Sequence, residues 1–74
     1  MTKEEVRQRV YKDGKTLDLD LFDWCEETNT FETEEHYLLI NFKEIDNCNF
    51  KIQCDTQIIT GNYCTFKAGG GSVS

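Results

Sequence analysis

The chain has 74 residues, of which 14 are acidic and eight are basic, so its formal net charge at pH 7 is −6. This length predicts one small domain with a modest hydrophobic core. Because no apolar run reaches membrane-spanning length and the first residues lack the apolar stretch of a signal peptide, we expect a cytoplasmic protein.

The first residues predict a short helix followed by a turn. Thr2 stands three residues before Glu5, which is the spacing of a capping box at a helix N-terminus. Val6 and Val10 lie one helical turn apart and form a thin apolar stripe. We therefore expect a helix that continues up to a turn at residues 12–15, where Asp and Gly stand together.

A strand, a loop and a second strand are predicted next. Residues 16–24 alternate between apolar and acidic side chains, which indicates a half-buried strand with three leucines on its buried face. Residues 25–30 have the composition of a loop. Residues 31–35 lead from this loop into a second predicted strand at residues 37–42.

This strand-loop-strand holds most of the negative charge. Eight acidic residues and no lysine or arginine lie between residues 16 and 42, whereas residues 1–15 carry +2 and the rest of the chain is neutral. Such a surface repels nucleic acid and attracts basic protein surfaces, and an aromatic side chain beside it could act as an anchor. We therefore predict a partner-binding surface here. Its predicted contact residues are Asp18, Asp20, Asp23, Trp24, Glu26, Glu27, Glu32, Glu34 and Glu35.

Two other interpretations of these acidic residues stay open. They could serve solubility alone, with Trp24 and Phe31 in the core. Alternatively, Asp18, Asp20 and Asp23 could hold a weakly bound calcium ion, although the glycine and the closing glutamate of a calcium loop are missing. We predict neither a bound metal nor a cofactor.

Residues 40–71 consist of four tandem octads, INFKEIDN, CNFKIQCD, TQIITGNY and CTFKAGGG. An apolar residue holds the third place of every octad, and a lysine holds the fourth place of three. Because eight is even and side chains alternate along a strand, residues at the same place of each octad face the same side, here called the inward column. Each octad thus predicts a short strand and a turn. The third-place residues are Phe42, Phe50, Ile58 and Phe66, and the lysines are Lys43, Lys51 and Lys67.

The fold class predicted from these elements is α+β, mostly β. Two arrangements of the octads fit, a flattened β-solenoid with two octads per coil or an antiparallel meander, and the fixed period favours the solenoid. Residues 1–71 are expected to form one domain, in which residues 1–39 cap the octads of residues 40–71. Residues 72–74 are expected to be a tail.

Four cysteines, Cys25, Cys48, Cys54 and Cys64, are present. The last three fall on the inward column of the octads, where a reduced thiol packs as a small apolar group. We expect reduced cysteines, with disulfides or zinc as alternatives, although the spacings match no common zinc pattern. The acidic neighbours of Cys25 are expected to raise its pKa and make it unreactive.

Catalytic motifs are missing from the sequence. The single histidine, His36, precedes a predicted strand, and no nucleophile stands at a recognisable spacing from it. Neither a glycine-rich phosphate loop nor a nucleophile elbow nor a metal-hydrolase motif is found. We therefore expect a protein that is not an enzyme.

The octads that begin at Cys48 and Cys64, with C-N-F-K and C-T-F-K-A-G, resemble the C-T-F-K-T-G-x-x arrays of a group of small bacteriophage proteins. In that group an acidic N-terminal segment leads into the array, and the first half of this chain is similar in character. Residues 56–63 depart from the pattern because they lack both the cysteine and the phenylalanine.

The resemblance implies a phage-encoded protein in the host cell cytoplasm. By analogy with anti-CRISPR proteins, it implies an inhibitor whose acidic surface binds a basic host protein, such as a CRISPR nuclease or another nucleic-acid enzyme, without contacting nucleic acid or membranes. The alternative function is a structural repeat module that assembles into homo-oligomers through its ends.

Overall fold

The computed structural model describes residues 1–53 and 55–69 of the chain. The predicted inward position of Cys54 and the predicted tail at residues 72–74 lie outside the described residues.

The described residues form one short helix, one 3₁₀ turn and eight strands. Helix α1 spans Lys3–Arg7, and the 3₁₀ turn spans Leu19–Leu21. This composition confirms the predicted α+β, mostly β fold class. Nothing helical in the described ranges has the length and apolarity needed to cross a bilayer. The strands are β1 (Val10–Lys12), β2 (Lys15–Thr16), β3 (Phe22–Cys25), β4 (Thr30–Thr33), β5 (Leu38–Phe42), β6 (Asn49–Gln53), β7 (Gln57–Thr60) and β8 (Thr65–Gly69).

The strands pack as two four-stranded sheets, with the orders β2-β1-β5-β7 and β3-β4-β6-β8. The pairs β1/β2, β1/β5 and β3/β4 are antiparallel. From β4 onward, successive strands alternate between the sheets, and the pairs β4/β6, β5/β7 and β6/β8 are parallel. The octad strands are therefore not an antiparallel meander.

The register of the parallel pairs reflects the octad period in one sheet and departs from it in the other. Phe50 of β6 lies opposite Phe66 of β8, a separation of two octads. Ile40 of β5 lies opposite Ile58 of β7, so the first octad is shifted by two residues from the predicted alignment. The turn after β5 is longer by the same two residues, because it spans residues 43–48 whereas the turn after β7 spans residues 61–64.

These two turns stack on each other through hydrogen bonds. The N–H of Gly61 donates to the carbonyl of Ile45 (2.9 Å), and the N–H of Asn47 donates to the carbonyl of Asn62 (3.0 Å). The N–H of Asn62 also donates to the carboxylate of Asp46 (2.6 Å). A Cβ on Gly61 would meet the Ile45 carbonyl oxygen at 2.9 Å, so the close approach of the turns requires glycine here.

A row of phenylalanine rings runs through the core from strand to strand. The centroids of Phe22 and Phe31 are 5.3 Å apart, those of Phe31 and Phe50 are 6.2 Å apart, and those of Phe50 and Phe66 are 5.4 Å apart. Phe42 of the other sheet meets Phe50 edge-on at 5.2 Å. Phe50 is therefore surrounded by rings and 1% exposed, whereas Phe66, at the end of the row, is 51% exposed.

The N-terminal capping box is confirmed, but the helix is shorter than predicted. The Thr2 hydroxyl accepts the N–H of Glu5, and the Glu5 carboxylate accepts the N–H of Thr2. The helix ends at Arg7, and Val10 begins β1 instead of adding a third turn. Val10 pairs with Ile40 of β5, so sheet pairing outweighs the weak helical preference of this segment.

The predicted turn at residues 12–15 is confirmed as the connection between β1 and β2. Its central residues, Asp13 and Gly14, have φ angles of 52° and 79°. Positive φ at both central residues is the geometry of a tight two-residue hairpin turn, which Asp-Gly favours.

The predicted strand at residues 16–24 is wrong in its first part. The N–H of Leu21 donates to the carbonyl of Asp18 (3.0 Å), which closes the 3₁₀ turn and interrupts the alternation. Leu21 is consequently 42% exposed, whereas Phe22, expected on the polar face, is 3% exposed. The lead-in at residues 31–35 is also partly wrong, because its first residues belong to strand β4 and Phe31 is fully buried.

Candidate functional site

Five of the predicted contact residues line one shallow groove, which we term the acidic groove. It has a volume of about 330 Å³ and is formed by the 3₁₀ turn, β3, β4 and the two residues after β4. The fold thus brings together acids that lie up to 15 positions apart in the chain. The acidic residues of the groove are Asp20, Asp23, Glu32, Glu34 and Glu35.

Thr33 joins the two sides of the acidic groove from below. Its hydroxyl donates to the carbonyl of Leu21 (2.7 Å) and accepts the N–H of Glu35 (3.1 Å). With 6% exposure it is the buried polar residue of the described core. Sequence reasoning missed Thr33, although its position two residues after Phe31 places it on the same, inward face of the strand.

Two carboxylates of the acidic groove lie directly opposite each other. Asp23 of β3 and Glu32 of β4 are cross-strand partners, and both side chains are exposed. Their Cβ atoms are therefore about 5 Å apart, a distance at which like charges destabilise a sheet. This pair therefore adds nothing to the stability of the sheet.

One carboxylate of the acidic groove has an internal partner. Glu35 accepts a hydrogen bond from the Nζ of Lys12 at 3.1 Å, and both side chains are about one third exposed. Solvent screens such a pair, whose contribution is at most about 1 kcal/mol. Within the described part of the chain, the other four carboxylates form no ion pair.

The acidic surface has a sharp border on its own sheet. Glu32 of β4 lies next to Lys51 of β6, and Lys51 lies next to Lys67 of β8. The exposed row across the sheet therefore changes from two acids to two lysines. The continuous negative charge therefore lies toward β3 and the 3₁₀ turn.

Three other predicted contact acids lie outside the groove. Asp18 precedes the 3₁₀ turn and accepts the N–H of Leu21 through its backbone carbonyl. Glu26 and Glu27 are exposed in the turn between β3 and β4, at the end of the hairpin away from Thr33. These acids contribute to the overall negative field but do not line the groove.

Trp24, predicted as an aromatic anchor, is turned toward the core. Its indole N–H donates to the carbonyl of Met1 (2.8 Å), and its ring meets Phe42 edge-on at 6.0 Å. The side chain is half-buried. Because its polar atom and one ring edge are already engaged within the chain, we remove Trp24 from the candidate surface. Among the aromatic residues between residues 16 and 42, Tyr37 is the exposed one, at 73%.

The cysteines of the described residues differ in environment. Cys25 is exposed, whereas Cys48 is 2% exposed. Hydrogen bonds from the hydroxyl and the N–H of Thr28 and from the N–H of Glu27 lower the pKa of the Cys25 thiol and outweigh the charge of Glu27. The charge of Glu27 does raise this pKa, as predicted, but the predicted net rise is wrong because the hydrogen bonds outweigh that charge. Burial, followed by the proximity of Cys64, raises the pKa of Cys48.

His36 takes part in a contact between two connections. Its Nδ1 lies 2.9 Å from Oδ2 of Asp55, and the same carboxylate accepts the N–H of Tyr37. Desolvation raises the pKa of Asp55, but the His36 and Tyr37 hydrogen bonds together outweigh it and hold this pKa below its ordinary value. The contact ties the connection between β4 and β5 to the connection between β6 and β7.

The calcium interpretation of Asp18, Asp20 and Asp23 gains no support. Residues 1–53 and 55–69 contain no group of three or more acidic, histidine or cysteine residues arranged to hold a metal ion.

Comparisons of the chain with protein-family models, with curated proteins and with solved structures found no match.

Proposed function

We propose that the chain is a non-enzymatic binding protein whose acidic groove occupies a basic, nucleic-acid-binding surface of a partner protein. The observation that carries this proposal is the group of four carboxylates without an ion-pair partner in the described residues. They share one groove on a single hairpin and its flanking 3₁₀ turn.

The rigidity of the supporting sheet favours this function. The hairpin of β3 and β4 continues into β6 and β8, and the phenylalanine row runs beneath it. A preorganised surface loses little conformational entropy on binding. We further propose that β4 to β8 form a short β-solenoid with two strands per coil. The parallel pairing, the opposition of Phe50 and Phe66 and the stacked turns support this architecture.

The resemblance of the octads to phage octapeptide arrays supports a more specific identity for the partner. On that basis we propose a phage-encoded inhibitor that acts in the host cytoplasm on a defence nuclease, for example a CRISPR nuclease. Such enzymes hold nucleic acid in positively charged channels, with which an acidic surface is complementary.

Electrostatic attraction of this kind has a recognisable salt dependence. Exposed charges are screened over about 10 Å at 0.1 M ionic strength and over about 3 Å at 1 M. Complementary charge raises association rates by roughly 10- to 1,000-fold at low salt. We therefore expect the partner to be bound at low salt and to be lost at high salt.

The proposal is tested by capture from a bacterial lysate with a tagged chain, using variants matched in charge. The groove variant carries Asp23→Asn, Glu32→Gln and Glu34→Gln. The control variant carries the same change in net charge at exposed acids outside the groove, Glu4→Gln, Asp13→Asn and Glu44→Gln. Captured proteins are identified by mass spectrometry at low and at high salt.

We expect the wild type and the control variant to retain the same basic, nucleic-acid-binding protein at low salt and to lose it at high salt. The groove variant should retain at least ~10-fold less, because it lacks three of the four available carboxylates. Equal capture by the groove and control variants would contradict the proposal, as would the absence of any partner with a basic surface.

A further inference from the structure

The two ends of the folded chain are covered differently. At one end, helix α1 packs against β1, β3 and the 3₁₀ turn, and Val6 of the helix is fully buried. At the opposite end, β7 and β8 are the last strands of their sheets in the described residues. Phe66, Ile59 and Tyr63 are 51%, 50% and 85% exposed there. We term this surface, formed by residues 57–67, the open end.

The open end is nearly free of charge. Lys67 is the one charged residue among residues 57–67, although 30% of the whole chain is charged. Edge strands of soluble proteins are usually protected by lysine, proline or a covering segment, because their free N–H and C=O groups can pair with another strand. With a single lysine on β8 and no charge on β7, the open end has little of this protection. Two copies that meet there bring few like charges together, although each has a net charge of −6.

The pairing of β6 with β8 indicates what fits the open end. The rings of Phe50 and Phe66 lie 5.4 Å apart with an angle of 10° between their planes. Phe66 thus uses one face on Phe50, and its 51% exposure leaves room for further contact. A partner for this end needs a largely apolar strand edge with little charge, and the open end of a second copy, with Lys67 as its one charged residue, has this chemistry.

We propose that two copies of the chain associate through their open ends and form a closed, two-fold symmetric dimer in which both sheets continue across the interface. Pairing of like edges across a two-fold axis is antiparallel and uses the same residues on both sides. Because a two-fold interface uses the same surface of both copies, association stops at two copies instead of continuing into a filament. The acidic grooves remain accessible, because β3 lies at the sheet edge away from β8.

The size of the molecule limits the strength of this dimer. Its extents are 29 × 27 × 19 Å, so its smallest face measures roughly 500 Å² and two copies would bury about 1,000 Å². This area is at the lower limit of specific interfaces. We therefore expect a dissociation constant of about 10 to 100 µM.

Sedimentation equilibrium over about 10 µM to 1 mM protein tests the proposal. The mass should rise from 8.6 kDa toward twice that value. Phe66→Lys places a charge at the open end and should weaken association at least ~10-fold. Leu39→Lys adds the same charge at a 42% exposed residue of β5, which is an inner strand, and should leave association unchanged. Ile59→Lys replaces Phe66→Lys if that variant fails to fold.

Several results would overturn the proposal. One is a constant mass of 8.6 kDa up to 1 mM, and another is growth beyond two copies. An equal effect of the open-end and Leu39→Lys variants would also refute it. If the wild type stays monomeric but a chain shortened to residues 1–69 dimerises, the last five residues occupy the edge and the proposal is wrong.

Discussion

Replacing Phe50 and Phe66 separately by alanine should give very different losses of stability, although both residues hold the third place of an octad. Phe50 is 1% exposed and touches the rings of Phe31, Phe42 and Phe66. Truncating a buried phenylalanine costs about 3 to 5 kcal/mol, because transfer free energy is lost and a cavity remains. Phe66 is half exposed and water fills the space it leaves, so its loss should cost about 1 to 2 kcal/mol.

These losses are large compared with the expected total. A domain of 74 residues should have a free energy of unfolding of about 4 to 11 kcal/mol. Phe50→Ala should therefore remove between about one quarter and all of the stability, whereas Phe66→Ala should leave a folded protein.

Urea denaturation followed by far-UV circular dichroism measures the difference. With a slope of about 1 kcal/mol per molar urea, Phe50→Ala should lower the midpoint by about 3 M or more, and Phe66→Ala by about 1 to 2 M. The measurement uses a low micromolar protein concentration, which lies below the expected dissociation constant of the dimer, so that association does not affect the midpoint. Phe42→Ala serves as a second buried control and should behave like Phe50→Ala. Equal shifts for Phe50→Ala and Phe66→Ala would refute the reasoning that Phe50 is buried at the centre of the row and Phe66 is half exposed at its end.

Three further predictions concern single contacts. Gly61→Ala should cost about 1 to 3 kcal/mol in urea denaturation, because its Cβ would collide with the facing turn, and an unchanged midpoint would contradict the stacking. Iodoacetamide should label exposed Cys25, whose pKa is lowered, well before buried Cys48, whose pKa is raised; peptide mapping showing the opposite order would refute this. Because the pKa of Asp55 is lowered in the folded state, its pairing with His36 contributes stability that is present above about pH 4 and is lost as the pH falls further. Asp55→Asn should therefore flatten the loss of stability below about pH 4. Identical pH profiles would exclude this contribution.

Features determined by neighbouring residues could be predicted from the sequence. The capping box at Thr2, the tight turn at Asp13 and Gly14, and the inward column of the octads all follow from local spacing, and the structure contains them. Features determined by distant contacts could not be predicted. The 3₁₀ turn at Leu19–Leu21 shifts the alternation by one residue, and sheet pairing takes Val10 out of the helix.

Residues at the same place of the octads also differ in their surroundings. Phe50 and Phe66 are equivalent in the repeat, yet only Phe50 has a neighbour on each side within the described residues. The longer turn at residues 43–48 moves the first octad by two positions. A repeat pattern specifies which side chains face inward, but not where stacking ends or how long each turn is.

For the candidate site, the sequence indicated the sign of the charge but not its geometry. Five of the nine predicted contact residues line the acidic groove. Trp24 turned inward because its indole found a backbone acceptor in Met1, a contact between residues 23 positions apart. The role of Thr33 in joining the two sides of the groove depends on the 3₁₀ turn, which the alternating pattern did not reveal.

The most direct test of the central claim is a competition experiment on the partner captured from the lysate. The purified partner is bound to the tagged chain at low salt, and double-stranded DNA or the guide RNA of a CRISPR nuclease is then added. If the acidic groove occupies the nucleic-acid-binding surface, nucleic acid should displace the chain in proportion to its own affinity, and the groove variant should be displaced at least ~10-fold more easily. A complex that holds the chain and the nucleic acid together would contradict the account.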